Sequence, residues 1–175
     1  MAIIYYLRHG QSLSNINNTF SGSQDDALLT PLGEQQANDA GEKIKVEGIV
    51  FDRVICSPLG RTRKTADIVC KIIGFDLSAI EIDQRIQEYD MGELTGKDRV
   101  NVTSVELISA VGAEDPHAFM ERVVSVLKEL EKYSGTVLLV SHAGVGNIIR
   151  CYKDNLDPRG FFDLQPYPNA TPVAL

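Results

Sequence analysis

Residues 2–12 read AIIYYLRHGQS, and this stretch decides the fold. Its first six residues are apolar, aromatic or β-branched with no polar alternation, which predicts a strand buried on both faces. Arg8, His9 and Gly10 follow at once. Residues 136–145, TVLLVSHAGV, repeat the design: a strand over 136–140, one polar residue, then His142. Between them, 50–56 contains a second strand ended by Ser57-Pro58, and 77–82 reads as a short third one. Helices fill the gaps. Thr30-Pro31 is an N-cap followed by proline at the first helical position, and Leu32, Gln36, Ala40 and Ile44 line one face before Gly48. Residues 59–73 turn Ala66, Val69, Ile72 and Ile73 inward. The longest helix starts at Pro116 and runs to about Tyr133, with Phe119, Met120, Val123, Val124, Val126, Leu127 and Leu130 at helical spacing. Residues 144–152 form another helix, 104–111 a short one and 157–162 a last turn. Pro166, Pro168 and Pro172 exclude a helix from the tail but leave room for a short closing strand. Strands alternating with helices predict an α/β fold: a three-layer α/β/α arrangement with a mostly parallel central sheet. The polar stretches 8–26 and 88–96 are read as loops, and long loops in compact domains tend to be functional.

A length of 175 residues, 43% hydrophobic and 23% charged, fits one globular domain over residues 1–175. No apolar run is long enough to span a bilayer, and the N-terminus lacks the basic leader and long apolar core of a signal peptide. Cys56, Cys70 and Cys151 are odd in number and far apart, so they are expected to be reduced thiols of a cytoplasmic protein. Seventeen basic against 24 acidic residues, net −7, argue against nucleic acid, which needs a basic face. A small anionic ligand is still compatible, because a few arginines make a local positive pocket in an acidic protein.

In open α/β sheets ligands bind beyond the carboxyl ends of the strands. His9 and His142 each follow a strand by one residue, and Ser57 and Arg61 follow the second strand. Arg8, His9, Arg61 and His142 are therefore expected at one rim. Two guanidiniums beside two imidazoles make an anion site suited to a phosphoryl group. Arg61 opens a helix whose positive end adds to the field. A metal reading lacks a third ligand: there is no HxH, HExxH or cysteine pair. The covalent reading is better supplied. A neutral imidazole attacks phosphorus and becomes phosphohistidine, the other cationic and donor groups hold the phosphoryl oxygens, and a nearby carboxyl protonates the leaving oxygen. His117, Glu93 and the Asp25-Asp26 pair are read as exposed.

These residues resemble the histidine phosphatase superfamily, the phosphoglycerate-mutase-like proteins, over nearly the whole chain. Leu7-Arg8-His9-Gly10-Gln11-Ser12 resembles its R-H-G-[EQ]-[ST] signature, followed by Asn15. Gly22, Asp26, Leu29-Thr30 and Gly33 fit the next stretch, and Ser57-Pro58-Leu59-Gly60-Arg61 with Thr65-Ala66 fits S-x-x-x-R-x-x-x-T-A. Glu88, Gly92 and Gly96 fit E-x-x-x-G-x-x-x-G, Ser141-His142-Ala143-Gly144 resembles S-H-[GA]-G, and Pro168-Asn169-Ala170 looks like the closing segment. The resemblance implies that His9 is the nucleophile and Glu88 the proton donor, with Asp90 as the alternative acid. It implies a phosphate pocket of Arg8, Gln11, Asn15, Ser21, Gly22, Arg61, His142 and Ala143, and it implies no metal. Gln11 stands where glutamate is commoner.

The superfamily holds phosphatases and phosphoglycerate mutases, which differ in whether water or a sugar-acid hydroxyl accepts the phosphoryl group. A mutase must exclude water and hold a carboxylate. Here the variable cap segment, about 97–116, is short, its cations are Lys97 and Arg99, and Tyr89 stands where mutases resemble E-R-H-Y-G. The expectation is a cofactor-free phosphatase acting on a small phosphorylated metabolite, with no nucleic acid or membrane partner. The second reading is a phosphoglycerate mutase using 2,3-bisphosphoglycerate, and the third a phospho-ligand binding module without turnover.

Overall fold

The computed structural model describes residues 2–175. In chain order the helices and strands are β1 (Ile3–Arg8), α1 (Leu13–Ile16), α2 (Pro31–Val46), β2 (Arg53–Cys56), α3 (Gly60–Ile73), β3 (Glu81–Ile82), α4 (Ser104–Ser109), α5 (Pro116–Leu130), β4 (Thr136–Ser141), α6 (Ala143–Lys153) and β5 (Val173–Ala174), with short 3-10 turns between them. The sheet order is β3-β2-β4-β1-β5. All pairs are parallel except β1–β5, so the chain forms the mostly parallel three-layer α/β/α fold expected of it.

Side-chain alternation along the strands feeds two separate cores. Leu7, Val54, Cys56, Leu138 and Val140 meet Ala37, Ala40 and Ile44 of α2 and Ala66, Val69 and Cys70 of α3. Tyr6, Ile55, Val137 and Leu139 meet Phe119, Val123, Val126, Leu127 and Leu130 of α5 and Val145, Ile148 and Ile149 of α6. Each such Leu, Ile or Val stabilises the fold by about 1.5–3 kcal/mol, which is why β1 and β4 read as unbroken apolar runs. The three cysteines are buried free thiols, and burial pushes Cys56 and Cys70 up to about 12.

Local signals set the helix ends. Thr30 Oγ1 accepts the Gly33 amide ahead of α2, and Asp115 accepts the amides of His117 and Ala118 ahead of α5. Gly74, at φ +74°, stops α3 in the left-handed conformation. The structure departs from the sequence reading in four places. Residues 77–82 are a 3-10 turn, Leu77–Ala79, and then a strand of only two residues; the Asp76 carboxylate accepts the Ser78 amide and coils the chain before it can extend. The loop 8–26 contains α1, too short to show a period. Helix α5 ends at Leu130, three residues early, and α4 stops at Ser109. Asp26 is exposed as expected, and its Oδ2 also accepts the Gly60 amide at the start of α3 at 2.8 Å.

The cap segment is stitched to the loops below it by Thr19↔Asp98 and Met91↔Ala113 bridges. The tail returns to β1. Leu175 N–H donates to Ile4 O, and Ala170 N–H donates to Arg8 O, each at 2.9 Å.

After β1 the chain presses backbone-to-backbone on the first turn of α2. A Cβ at Gly33 would collide with the Gln11 carbonyl, and one at Gly10 with the Gly33 carbonyl. Alanine is the better helix former by about 1 kcal/mol. Gly33→Ala is nevertheless expected to lower stability by about 1–3 kcal/mol, the usual cost of overpacking, read as a lower urea midpoint. A rise in midpoint would show that this contact yields freely.

Candidate active site

The parallel register pairs Arg8 with Ser141 and Cys56 with Val140. The next residues, His9, His142 and Ser57, are therefore delivered side by side at one rim. The His9 amide donates to Ser141 O and the Ser57 amide to Val140 O, both at 3.0 Å, so the ladder continues into the site itself. The two imidazole centroids lie 5.4 Å apart, edge to face.

His9 is held from three directions: by the ladder, by Asn169 Nδ2 donating to its carbonyl at 2.8 Å, and by its ring. Nδ1 lies 2.7 Å from Gly10 O. A carbonyl only accepts, so Nδ1 carries the hydrogen and Nε2 keeps its electron pair. Nε2 of His142 shares a 2.7 Å hydrogen bond with Ser57 Oγ, and its Nδ1 has no partner among the described residues. Both rings are pushed well below the usual imidazole value. Burial is the main cause, followed by the Arg61 charge. Both are neutral at neutral pH.

Arg61 stands in the first turn of α3 and is 2% exposed. Its guanidinium is aimed by backbone oxygens: NH1 donates to Asp25 O at 2.8 Å and NH2 to Gly22 O at 2.9 Å, with the Asp26 carboxylate 3.8 Å away. Arg8 donates NH1 to Tyr167 O at 3.0 Å, and its Nε is buried without a partner. Burial lowers the pKa of both guanidiniums, yet a guanidinium stays charged throughout the working pH range.

Glu88, also buried, closes the site from the opposite side. Its Oε2 accepts the Gly144 amide in the first turn of α6 at 3.2 Å, and its Oε1 accepts the Tyr89 amide at 3.0 Å. A Cβ at Gly144 would overlap that carboxylate, so glycine there lets Glu88 keep this position. The main chain leading to Glu88 hangs on Arg122 of α5. This guanidinium donates to the carbonyls of Arg85, Gln87 and Glu88 at 2.7, 2.8 and 3.1 Å. It is gripped in two places by Glu114 at 2.6 and 2.9 Å and lies 4.6 Å over the Phe119 ring.

A narrow cavity of about 20 Å³ is lined by Arg8, His9, Asn15, Ser21, Gly22, Arg61, Glu88, Ala143 and Arg99, among others. That is room for about one water. Four residues stand elsewhere or were missed. Gln11 does not line this cavity: its amide oxygen accepts from Thr30 Oγ1 at 2.9 Å, and its main-chain N–H donates to Gln36. Those stronger local bonds turn it toward α2. Asp90 accepts from Gln24 at 2.6 Å and from the Gly92 amide, outside the cavity. Arg99, read only as a cap cation, reaches the cavity because Thr19 O accepts its Nε at 3.1 Å and Phe20 lies beneath it. Arg122 carried no motif, although a lone arginine within an apolar helical stripe is a signal. His117 and Glu93 are exposed.

Three comparisons bear on this geometry. A model of the histidine phosphatase superfamily (branch 1) matches residues 4–175. A 2,3-bisphosphoglycerate-dependent phosphoglycerate mutase of Nitrobacter winogradskyi is 40% identical over 94 residues, which are 54% of this chain and 45% of that protein. A protein of Salmonella paratyphi A named "Probable phosphoglycerate mutase GpmB" is 35% identical over 156 residues, 81% of this chain and 70% of that one. Among solved structures, YhfR of Bacillus stearothermophilus superposes with a TM-score of 0.83 at 21% identity, covering 99% of this chain and 90% of that one. A mycobacterial glucosyl-3-phosphoglycerate phosphatase complexed with VO3 superposes with a TM-score of 0.81 at 22% identity, covering 99% and 92%. At these identities the solved structures speak for the fold.

The neutral histidines carry a pH signature. In the unfolded chain both take up protons below about pH 6.5, while in the fold they resist. The unfolded state then binds more protons, and stability falls as pH drops below that value. From about pH 7.5 to about pH 5.5 the pair is expected to cost about 2–3 kcal/mol, read as a falling urea midpoint. In His9→Gln this fall should be about half as deep. An undiminished fall would assign the loss to other groups.

Proposed function

The chain belongs to the histidine phosphatase superfamily, a superfamily of phosphatases and mutases, and from that premise we propose that it is a phosphomonoester phosphatase working through a phosphohistidine on small phosphorylated metabolites. The observation that carries the reading is the tautomer of His9. Its Nδ1–H is spent on Gly10 O, so a neutral Nε2 is left to attack, inside a pocket whose guanidiniums, Arg8, Arg61 and Arg99, are charged.

In the first step the Nε2 electron pair of His9 bonds to phosphorus as the ester P–O bond breaks. The leaving oxygen takes a proton from Glu88, and the alcohol departs. In the second step water attacks phosphorus, the P–N bond breaks, Glu88 takes the water proton, and inorganic phosphate leaves with His9 neutral again. Arg8, Arg61 and His142 hold the phosphoryl oxygens, and the unpartnered Arg8 Nε and His142 Nδ1 are donors that such oxygens satisfy. The scheme has no metal step: the imidazole supplies the nucleophile, the guanidiniums the positive charge and the carboxyl the proton.

Hydrolysis is favoured over mutation by Tyr89. Its ring is buried and packs on Phe119 and Phe161 at 5.4 and 5.1 Å, so the position after Glu88 brings no cation to a substrate carboxylate. Arg99 favours the second reading, a mutase primed by 2,3-bisphosphoglycerate, because it sets one cation at the cavity.

His9→Ala is expected to abolish both turnover and acid-labile ³²P labelling, assayed with EDTA present; activity near wild type would end the covalent scheme. Glu88→Gln should slow alkyl phosphates about 10²–10⁴-fold and aryl phosphates, whose leaving groups need little proton, far less. Equal losses would make Glu88 a positioning residue only.

A further inference from the structure

A second cavity of about 140 Å³ opens from the phosphate cavity and shares Arg8, Glu88, Met91, Arg99 and Ala143 with it. Its outer wall is Phe161, Phe162, Leu164 and Pro166, with Gly144 and Asn147. Every charged side chain lining it belongs to the shared inner end. The wall is rigid. Phe161 is buried and stacks on Tyr89 and Phe119. Asn147 of α6 donates its amide to the carbonyls of both Phe161 and Leu164, at 3.0 and 2.9 Å, which fixes the chain on which the wall is built.

An ester whose phosphoryl group sits against His9 and whose leaving oxygen faces Glu88 has this second cavity to receive its organic group, since the larger open groove on the other side of Glu88 shares no other lining residue with the phosphate cavity. Resting on the phosphatase reading, we infer that this group is a compact, uncharged one with an apolar surface, a chain or ring of about six carbons. The size follows from volume, since a cavity of about 150 Å³ holds benzene. The chemistry follows from the wall: a carboxylate at the outer end would be desolvated against phenylalanine, leucine and proline, and the wall's unpartnered polar atom among the described residues, the Asn147 amide oxygen, is an acceptor that can take one hydroxyl but no carboxylate and no run of hydroxyls. The residues that set specificity are Phe162 and Leu164, both half-buried and both clear of the reacting atoms.

A series of n-alkyl phosphates tests this, because lengthening the chain beyond ethyl leaves the alcohol's acidity nearly constant while adding surface to bury. The expected kcat/KM rises about fourfold per methylene, flattens near six carbons when the cavity is full, and exceeds that for glycerol 3-phosphate and 3-phosphoglycerate. In Leu164→Ser, and separately in Phe162→Ser, the rise is shallower. A flat wild-type series, a slope unchanged in both variants, or a phosphorylated acid turned over faster than the best alkyl ester overturns the inference while leaving a working phosphatase. No turnover of any ester together with no label on His9 overturns the phosphatase reading, and this inference falls with it.

Discussion

One register governs the molecule: β1 lies beside β4 with Arg8 opposite Ser141. Parallel strands start at the same end, so the first residues past each one share a height, and the two imidazoles meet only because both strands stop in step. A slip of one residue would turn every side chain of a strand to the other face. Leu7 would then leave the α2–α3 core and Tyr6 the α5–α6 core. The two cores therefore police the alignment of the histidines. Packing energy from residues that never touch a substrate fixes the distance between two that do.

The rim so formed is charged but not neutralised. Arg8 NH1 and the NH groups of Arg61 donate to the carbonyls of Tyr167, Asp25 and Gly22, and Arg8 Nε has no partner among the described residues. A carbonyl aims a guanidinium without cancelling its charge, so the field stays positive where buried charge is costly. The same field, added to burial, keeps the two rings unprotonated. A phosphoryl group relieves both costs at once, by meeting the guanidiniums and by supplying acceptors to the unpartnered nitrogens. Glu88 stands apart from this cluster because Arg122 holds its main chain from the far side, through a helix that contributes nothing else to the rim.

What was legible in the sequence is what local chemistry decides. The apolar runs of β1 and β4, the Thr30-Pro31 and Asp115-Pro116 helix starts and the stripe of α5 needed no tertiary knowledge. The placement of His9, Arg61 and His142 followed from a general rule about strand ends. Features settled by contacts distant in sequence were hidden. Arg99 enters the cavity only because residues 19 and 98 pair across the chain. Gln11 lies next to the motif but is claimed by Thr30 and Gln36. Arg122 acts on carbonyls some 35 residues away in sequence, and no spacing pattern announces such a bond. Residues 77–82 were misread because strand propensity there loses to one carboxylate that coils the chain at Asp76.

The tail holds the opening strand by its working end: Ala170 and Asn169 bond the carbonyls of Arg8 and His9, and Tyr167 O accepts from Arg8. A ribosome makes the chain from the other direction. The nucleophilic loop emerges about 160 residues ahead of its clamp, an interval of roughly 10–30 s at translation speeds of about 5–20 residues per second. For that time the nascent chain carries the reactive imidazole without the fastening that orients it, and catalytic competence waits for residues 167–170.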